Sequence, residues 1–472
     1  MAFDSFSYAA FLAFVLLVAA AFRRPAVAWL VLASYGFYAL FAWWYPLLLF
    51  AISAAAWVCG NRAQRAKNTR DRSISMWLGI GLAALPLLLF KYAGTWLSIA
   101  GASPSEAATW QNVASWLMPV GLSFYALQAI AWIVDSARGD VRERPPFLRF
   151  LLFFSFFPKL SAGPILRHDD FFPSSKQAIW SSETLWQAAC LLVFGLFKKV
   201  VLADNAAQVA NSLFAAPDTT GFQAAFGVLA YSMQIYCDFA GYTDLAIGSG
   251  LLLGIRLPKN FNWPYLSTNP AEFWRRWHIT LSTWLRDYIF FAVPGIRSRN
   301  RWPAYGASML TMFVCGVWHG STLPFVVWGI YWGLLLVIYR ILQPSLDALW
   351  IKLPMPRWLL TLATMLLMQG LVAAGWVVFR AENLETAGSI FASLFAGSWD
   401  LPSLTALPEQ QLLVALMLTG FWLFHWKAIH GPFLKVPSRP WHPASVALLL
   451  LLLSAAAVLR LPNAVPFVYF RF

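Results

Sequence analysis

Two histidines in this chain stand where a histidine is expensive. "FVCGVWHGSTLPFVVWG", residues 313–329, sets His319 in an apolar run whose other polar-capable side chains are tryptophan, serine and threonine. "EFWRRWHITLSTWLRDY", residues 272–288, sets His278 among tryptophans and arginines. Ionisable groups inside apolar spans line functional cavities as a rule. A neutral imidazole near pH 7 takes a proton from a hydroxyl or thiol, the work of a general base. His319 is read in that role, against the alternative of a histidine that links two helices by a hydrogen bond. Gly316 and Gly320 flank it and admit either a substrate or another helix. His278 is either a second member of the same site or a packed histidine bonded to a backbone carbonyl.

Other polar groups in apolar context are Asp135, Asp238, Asp244, Asn260 and Asn262. In "YCDFAGYTDLAIG", residues 236–248, Asp238 and Tyr242 stand four apart on one helical face and can orient a histidine, bind a substrate or tighten the local fold. Arg275, Arg276 and Arg286 can draw an anionic donor to the mouth of a site, or serve as membrane anchors. The candidate substrate-binding residues are Trp318, Asp238, Tyr242, Asn262, Trp284 and Arg286. His168, His425 and His430 fall at interfaces, where surface or loop roles fit better. Cys315 lies one turn before His319 but has no charge beside it to stabilise a thiolate. The sequence has no Walker loop, dinucleotide fingerprint, zinc spacing or GxSxG elbow. No metal and no resident cofactor is expected. Two histidines without metal or nucleophile elbow suggest proton abstraction from an acceptor that attacks an activated acyl donor.

The elements that position these groups must be membrane helices. The chain has 472 residues, 60% hydrophobic and 11% charged, where soluble domains carry roughly 25% charged residues. Its 26 tryptophans suit many membrane–water interfaces. The net charge of +14 fits basic cytoplasmic loops, not nucleic-acid binding. Cys59, Cys190, Cys237 and Cys315 form no CxxC pair and are read as buried apolar residues. The N-terminus reads as a first helix that stays attached, not a signal peptide. Basic segments at Arg23–Arg24 and "NRAQRAKNTRDR", residues 61–72, place the N-terminus outside.

Apolar runs predict an all-α, multi-pass chain of about eleven crossings. They fall near 8–22, 26–59 (two helices broken at "WWYP"), 76–100, 113–134, 222–238, 240–254, 305–318, 322–342, 357–379, 410–427 and 444–460. "GASPSEAATWQ" reads as an external loop. Residues 147–165, broken by Pro158, Gly163 and Pro164, predict a re-entrant or interfacial segment bordering a cavity. "LLVFGLFKKVVLADN" is either a span or an interfacial helix whose lysines snorkel. Residues 267–290 predict one helix, capped by Asn269 with Pro270 first and Glu272 three residues on. Its stripe of Trp274, Trp277, His278, Leu281, Trp284, Leu285 and Tyr288 faces protein or bilayer. The whole, residues 1–472, is read as one domain: N-terminal helices 1–146, a core 147–343 with both histidines, and C-terminal helices 344–472.

Several stretches together resemble the membrane-bound O-acyltransferase family, in particular its alginate and exopolysaccharide O-acetylating branch. They are "MPVGLSFYALQ" (118–128), "FFPKLSAGPI" (156–165), "GLFKKVVLADN" (195–205), "YCDFAGYTDLAIG", the run 252–290, "GVWHGSTLPFVVWGIYWG" (316–333) and "FRAENLETA" (379–387). The chain departs at "FAVPGIR", where that branch has a "YIPLGG"-like stretch, and at Trp332, where it often has histidine. The resemblance implies a funnel of helices around a central tunnel, with His319 catalytic and His278 lining the tunnel. It implies a cytoplasmic thioester donor, acetyl-CoA or another, and a separate periplasmic acyltransferase partner that finishes transfer to sugar hydroxyls. Alternatives are D-alanyl transfer to teichoic acid and, in another class, a proton-coupled transporter using the histidines as a relay.

Overall fold

In the computed structural model the described residues are all except 1–2, 23–25, 142, 172–179, 353, 401–407, 430–441, 462–466 and 468–472. His430 and the Arg23–Arg24 pair therefore lie outside the described residues. The chain forms two compact units, Met1–Gly195 with Tyr242–Lys259, and Leu196–Gly241 with Asn260–Phe472. Among the described residues the regular structure is helical throughout. The first unit begins with α1 (Phe6–Ala21), α2 (Val27–Ala39), α3 (Tyr45–Arg65), α4 (Thr69–Lys91), α5 (Ala93–Ile99) and α6 (Pro104–Leu117). It continues with α7 (Leu122–Arg138), α8 (Phe147–Ser155), α9 (Phe157–Leu160), α10 (His168–Phe171) and α11 (Ser182–Leu196). After a π-helical run at Phe197–Ala203 come α12 (Asp204–Ala215) and α13 (Gly221–Leu252), whose residues from Tyr242 on belong with the first unit. The second unit then has α14 (Pro270–Arg276), α15 (Ile279–Tyr288), α16 (Trp302–His319) and α17 (Leu323–Lys352). It closes with α18 (Arg357–Arg380), α19 (Leu384–Ala396), α20 (Glu409–Ile429) and α21 (Pro443–Val458).

Among the described residues five helical stretches are long and apolar enough to cross a membrane: Tyr45–Arg65, Thr69–Lys91, Ser182–Ala215, Leu323–Leu349 and Arg357–Arg380. Their outward faces carry leucine and tryptophan, such as Leu89, Trp77 and Leu366, all more than half exposed. Large apolar side chains facing out along spans of this length are what a hydrocarbon surrounding favours. The protein is a multi-pass membrane protein.

Several expected boundaries move, each for a physical reason. The run at 76–100 starts earlier, where the Asn68 side chain accepts from Asp71 N–H, and breaks at Tyr92. "GASPSEAATWQ" is not loop but mostly the start of α6, closed by a capping box between Ser103 and Glu106. The run at 113–134 breaks at Gly121 (φ 82°), because Leu160 O would stand 2.1 Å from any Cβ there. The two runs at 222–254 are one helix, α13; Gly241 does not interrupt it.

Residues 150–166 are buried without exception, although their backbone leaves the helix twice. Irregular backbone at apolar depth needs protein partners, and here they are specific. Ser34 Oγ accepts from Phe157 N–H at 3.2 Å, and the Tyr242 hydroxyl bonds Ser161 Oγ at 2.7 Å and Ala162 N–H at 3.2 Å. Lys159 Nζ donates to Gln128 Oε1 at 2.9 Å between the rings of Phe153 and Phe171.

Lys199 does not snorkel. It is buried, 2.8 Å from Asp204 and 2.8 Å from Asp238. Lysine and aspartate five residues apart point about 140° apart on an α-helix of 3.6 residues per turn. The wider π-turn at Phe197–Ala203 brings them to one side. Removing one member of a buried ion cluster strands the others at a cost of about 3–5 kcal/mol. Lys199→Met is expected to lower the unfolding midpoint in detergent steeply, and adding Asp204→Asn with Asp238→Asn to recover much of the loss. An unchanged midpoint in the single variant would show the cluster to be energetically idle.

Candidate active site

His319 ends α16 and is 3% exposed. Its ring lies against Trp318 (centroids 4.8 Å), Phe379 (5.0 Å) and Trp328 (5.3 Å), so its surroundings are aromatic on several sides. The carbonyl end of a helix carries partial negative charge, complementary to an imidazolium formed on proton uptake. Of the two occupants that Gly316 and Gly320 admit, protein takes both places. A Cβ on Gly316 would meet Phe325 O of α17 at 2.3 Å, and one on Gly320 would meet the Phe325 ring at 2.2 Å. Gly329 of α17 fits equally tightly, with Met312 O 2.5 Å from its would-be Cβ. Small residues on facing helices allow this backbone approach, and it fixes the end of α16 where His319 sits.

His278 is held differently. The predicted single helix at 267–290 is two, and His278 stands between them at φ 42°, a left-handed conformation that few residues adopt. The break does not disturb the stripe: Trp274, Trp277, His278, Leu281, Trp284, Leu285 and Tyr288 are all buried. The start is as the spacing predicts, with Asn269 Oδ1 accepting from Glu272 N–H at 2.8 Å. A backbone strap from the preceding loop fastens the break. Asn262 N–H donates to Arg276 O and Ile279 N–H donates to Asn260 O, each at 2.9 Å. Asn260 Oδ1 also takes Thr280 N–H (3.1 Å), Thr280 Oγ1–H (2.9 Å) and stands 3.3 Å from His278 Nδ1. That oxygen only accepts, so Nδ1 carries the hydrogen and Nε2 presents its lone pair. A strained backbone held from several sides is a usual mark of a working site.

Trp318 relates the two histidines, with its ring 4.8 Å from His319 and 6.4 Å from His278, while Phe239 of α13 covers the other imidazole at 4.7 Å. The remaining candidates disperse. Asp238 is engaged with Lys199, and Tyr242 holds the Ser161–Ala162 backbone of the first unit. Asn262 is exposed and works through its backbone. Trp284 is buried against Tyr288, and Arg286 is exposed and paired with Asp287 at 2.7 Å. His168 lies beside Trp132 at 5.0 Å. His425, expected at a surface, is 2% exposed on α20, with its Nδ1 2.9 Å from Phe421 O, one turn back on the same helix. The four cysteines are buried and form no disulfide with one another, and no group of three His, Cys, Asp or Glu among the described residues could hold a metal. Phe379 and Trp328 carry no sequence signal as site residues, and Asn260 stands out only as a polar group in apolar context; each meets a histidine only through the fold.

Fold and site together define a multi-pass helical membrane protein with two buried, ring-lined histidines. The comparisons specify it. Residues 80–368 match the model of MBOAT, the membrane-bound O-acyltransferase family. The chain is 36% identical to a probable alginate O-acetylase of Azotobacter vinelandii, over 83% of this chain and 77% of that one. It is 35% identical to a peptidoglycan O-acetyltransferase of Helicobacter pylori (76% and 72% covered). To a teichoic acid D-alanyltransferase of Bacillus subtilis it is 30% identical (71% and 85% covered). The chain belongs to the membrane-bound O-acyltransferase family and is a membrane-bound O-acyltransferase.

Two substitutions test the packing that fixes His319. Gly316→Ala drives a Cβ into the α17 backbone and is expected to cost about 1–3 kcal/mol or more. Gly306→Ala, on the same helix with nothing within 4 Å, should raise stability by about 0.5–1 kcal/mol. Equal melting of the two variants would refute the close contact. Glu272 gives a pH test. Burial pushes its carboxyl up, but hydrogen bonds from Thr268 N–H, Arg276 and the Thr268 hydroxyl outweigh it, leaving it below the usual value. The stabilisation is then present above its unfolded value of about 4.3 and lost as pH falls through the folded one. Glu272→Gln should melt lower at pH 7, by under about 1 kcal/mol for a half-buried pair on one helix, and match the native chain once pH has fallen below the folded value.

Proposed function

We propose that the protein moves acyl groups, acetyl first among them, from a cytoplasmic thioester such as acetyl-CoA across the inner membrane for O-acylation of a polysaccharide outside it, alginate being one candidate. The observation that carries the chemistry is His319: a buried imidazole at the carbonyl end of a helix, ringed by tryptophan and phenylalanine, in a chain of acyltransferase family. His319 takes the proton of the acceptor hydroxyl, and the oxygen attacks the thioester carbonyl. His278, with its Nε2 lone pair, positions a reactant or relays the proton, and Trp318 lies between the two rings.

The wider picture is of the same standing. About eleven crossings form a funnel around a tunnel, with the N-terminus periplasmic and the basic loops cytoplasmic. Arg275 and Arg286, both exposed, draw the anionic donor to the mouth. A separate periplasmic acyltransferase receives the acyl group and completes ester formation on the sugar. No resident cofactor is needed. The Bacillus subtilis relative favours a second reading, in which the group carried is D-alanine and the final acceptor teichoic acid. Membership in an enzyme family speaks against the transporter reading.

The test is ester-linked acetate on secreted polysaccharide from cells carrying the native chain, His319→Ala or His278→Ala, with membrane abundance and unfolding midpoint measured for each. His319→Ala is expected to lower ester at least about 100-fold at unchanged abundance and midpoint, and His278→Ala to lower it less. Native ester levels in His319→Ala would make that histidine a structural link. D-alanine released by mild base, with no acetate, would select the second reading.

A further inference from the structure

Three tryptophans of the second unit form a polar cluster beside His319. Trp274 of α14 and Trp328 and Trp332 of α17 touch pairwise, their ring centroids 5.8, 5.3 and 6.5 Å apart. They are 8%, 1% and 0% exposed, and each indole Nε1 is buried without an acceptor among the described residues. A buried donor left unmade costs roughly 1–3 kcal/mol, a cost that phenylalanine would avoid at the same place. Two of the donor nitrogens come close to one spot. A Cβ on Gly375 of α18 would stand 3.3 Å from Trp332 Nε1, 3.3 Å from Tyr331 Cε1 and 3.7 Å from Trp328 Nε1. Glycine leaves out the one side-chain atom that would sit against both indole nitrogens. Trp328 also meets the His319 ring edge-on, at 5.3 Å and 86°.

Indole N–H only donates. What complements two neighbouring donors beside a proton-accepting histidine is an oxygen that only accepts and gains charge during reaction. We infer that Trp328 and Trp332 hold the carbonyl oxygen of the acyl thioester through their Nε1–H groups and stabilise the oxyanion formed on it, as preorganised donors do in acyl transfer. This rests on His319 acting as the base. The acceptor oxygen, its proton passed to His319, bonds to the carbonyl carbon. The C=O π pair moves onto the oxygen facing the two N–H groups. That pair then returns as the C–S bond breaks, and the departing thiolate takes the proton from His319. Ester and free thiol are the products, and His319 is neutral again.

The test replaces Trp328, and separately Trp332, by benzothienylalanine, which keeps the ring outline with sulfur in place of the N–H. The initial rate of ester formation in cells, per copy of membrane-embedded protein, is read beside the unfolding midpoint. The Trp328 replacement is expected to slow ester formation about 100-fold while the midpoint holds or rises, since an orphaned donor has gone. Gly375→Ala, with its methyl against both indole nitrogens, should do the same. Trp358→Phe, at a site 65% exposed, serves as the unaffected control. Rates within threefold of native in both isosteric variants, while His319→Ala abolishes the ester, would overturn the indole assignment alone. A native chain that makes no ester overturns the transfer reading and this assignment with it.

Discussion

A peptide group at membrane depth must find its hydrogen-bond partner inside the protein, and the irregular parts of this fold are organised around that demand. Helices meet it by themselves. The segment at 150–166 and the loop from Asn260 to His278 do not, and each is met by side chains reaching in from elsewhere in its own unit. Ser34 and Tyr242 satisfy backbone N–H groups in the first. Asn260, through both its carbonyl and its side-chain oxygen, satisfies Ile279 and Thr280 in the second. Leaving such groups unmet costs several kcal/mol each in hydrocarbon. Non-helical backbone is therefore kept only where it does something a helix cannot. At His278 it turns an imidazole that an α-helix would have pointed elsewhere.

The two histidines illustrate opposite ways of fixing a side chain. His319 is placed by close packing of regular elements: Gly316 and Gly329 let α16 and α17 approach backbone to backbone. Such a contact has little compliance, because interiors are packed at crystal-like density. His278 is placed by hydrogen bonds on a strained residue, with one amide oxygen collecting three donors. The first arrangement suits a group whose position must not drift. The second sets a tautomer, which packing alone cannot do.

Much of this was legible before any coordinates. The apolar runs located most helices to within a few residues, the Asn269–Pro270–Glu272 start was read correctly, and the proline and glycine breaks marked the segment at 150–166. Two helix starts moved because of local caps at Asn68 and Ser103; the other failures share one cause, that the deciding partner lies far along the chain. Lys198 and Lys199 in an apolar helix look like snorkelling residues until Asp238, thirty-nine positions later, is seen beside Lys199. The break at His278 was hidden because the buried stripe continues across it, and the Asn260 oxygen that holds it lies 18 residues upstream. Trp328 is one of 26 tryptophans whose commonest role is at the membrane interface, and Trp332 stands out in the sequence only as a departure from the branch it resembles. Their burial, the absence of acceptors around them among the described residues and their shared approach to Gly375 mark them together.

The π-turn at Phe197–Ala203 has a consequence for how such chains diverge. A π-turn is an α-helix with one residue too many, and here that surplus residue is what aims Lys199 and Asp204 at each other. Deleting it would restore a regular helix and at the same stroke send the lysine and the aspartate to different faces. The extra residue and the Lys199–Asp204 pairing thus depend on one another. A gap of one position in this stretch, between any two related chains, should coincide with the loss of one or both charges.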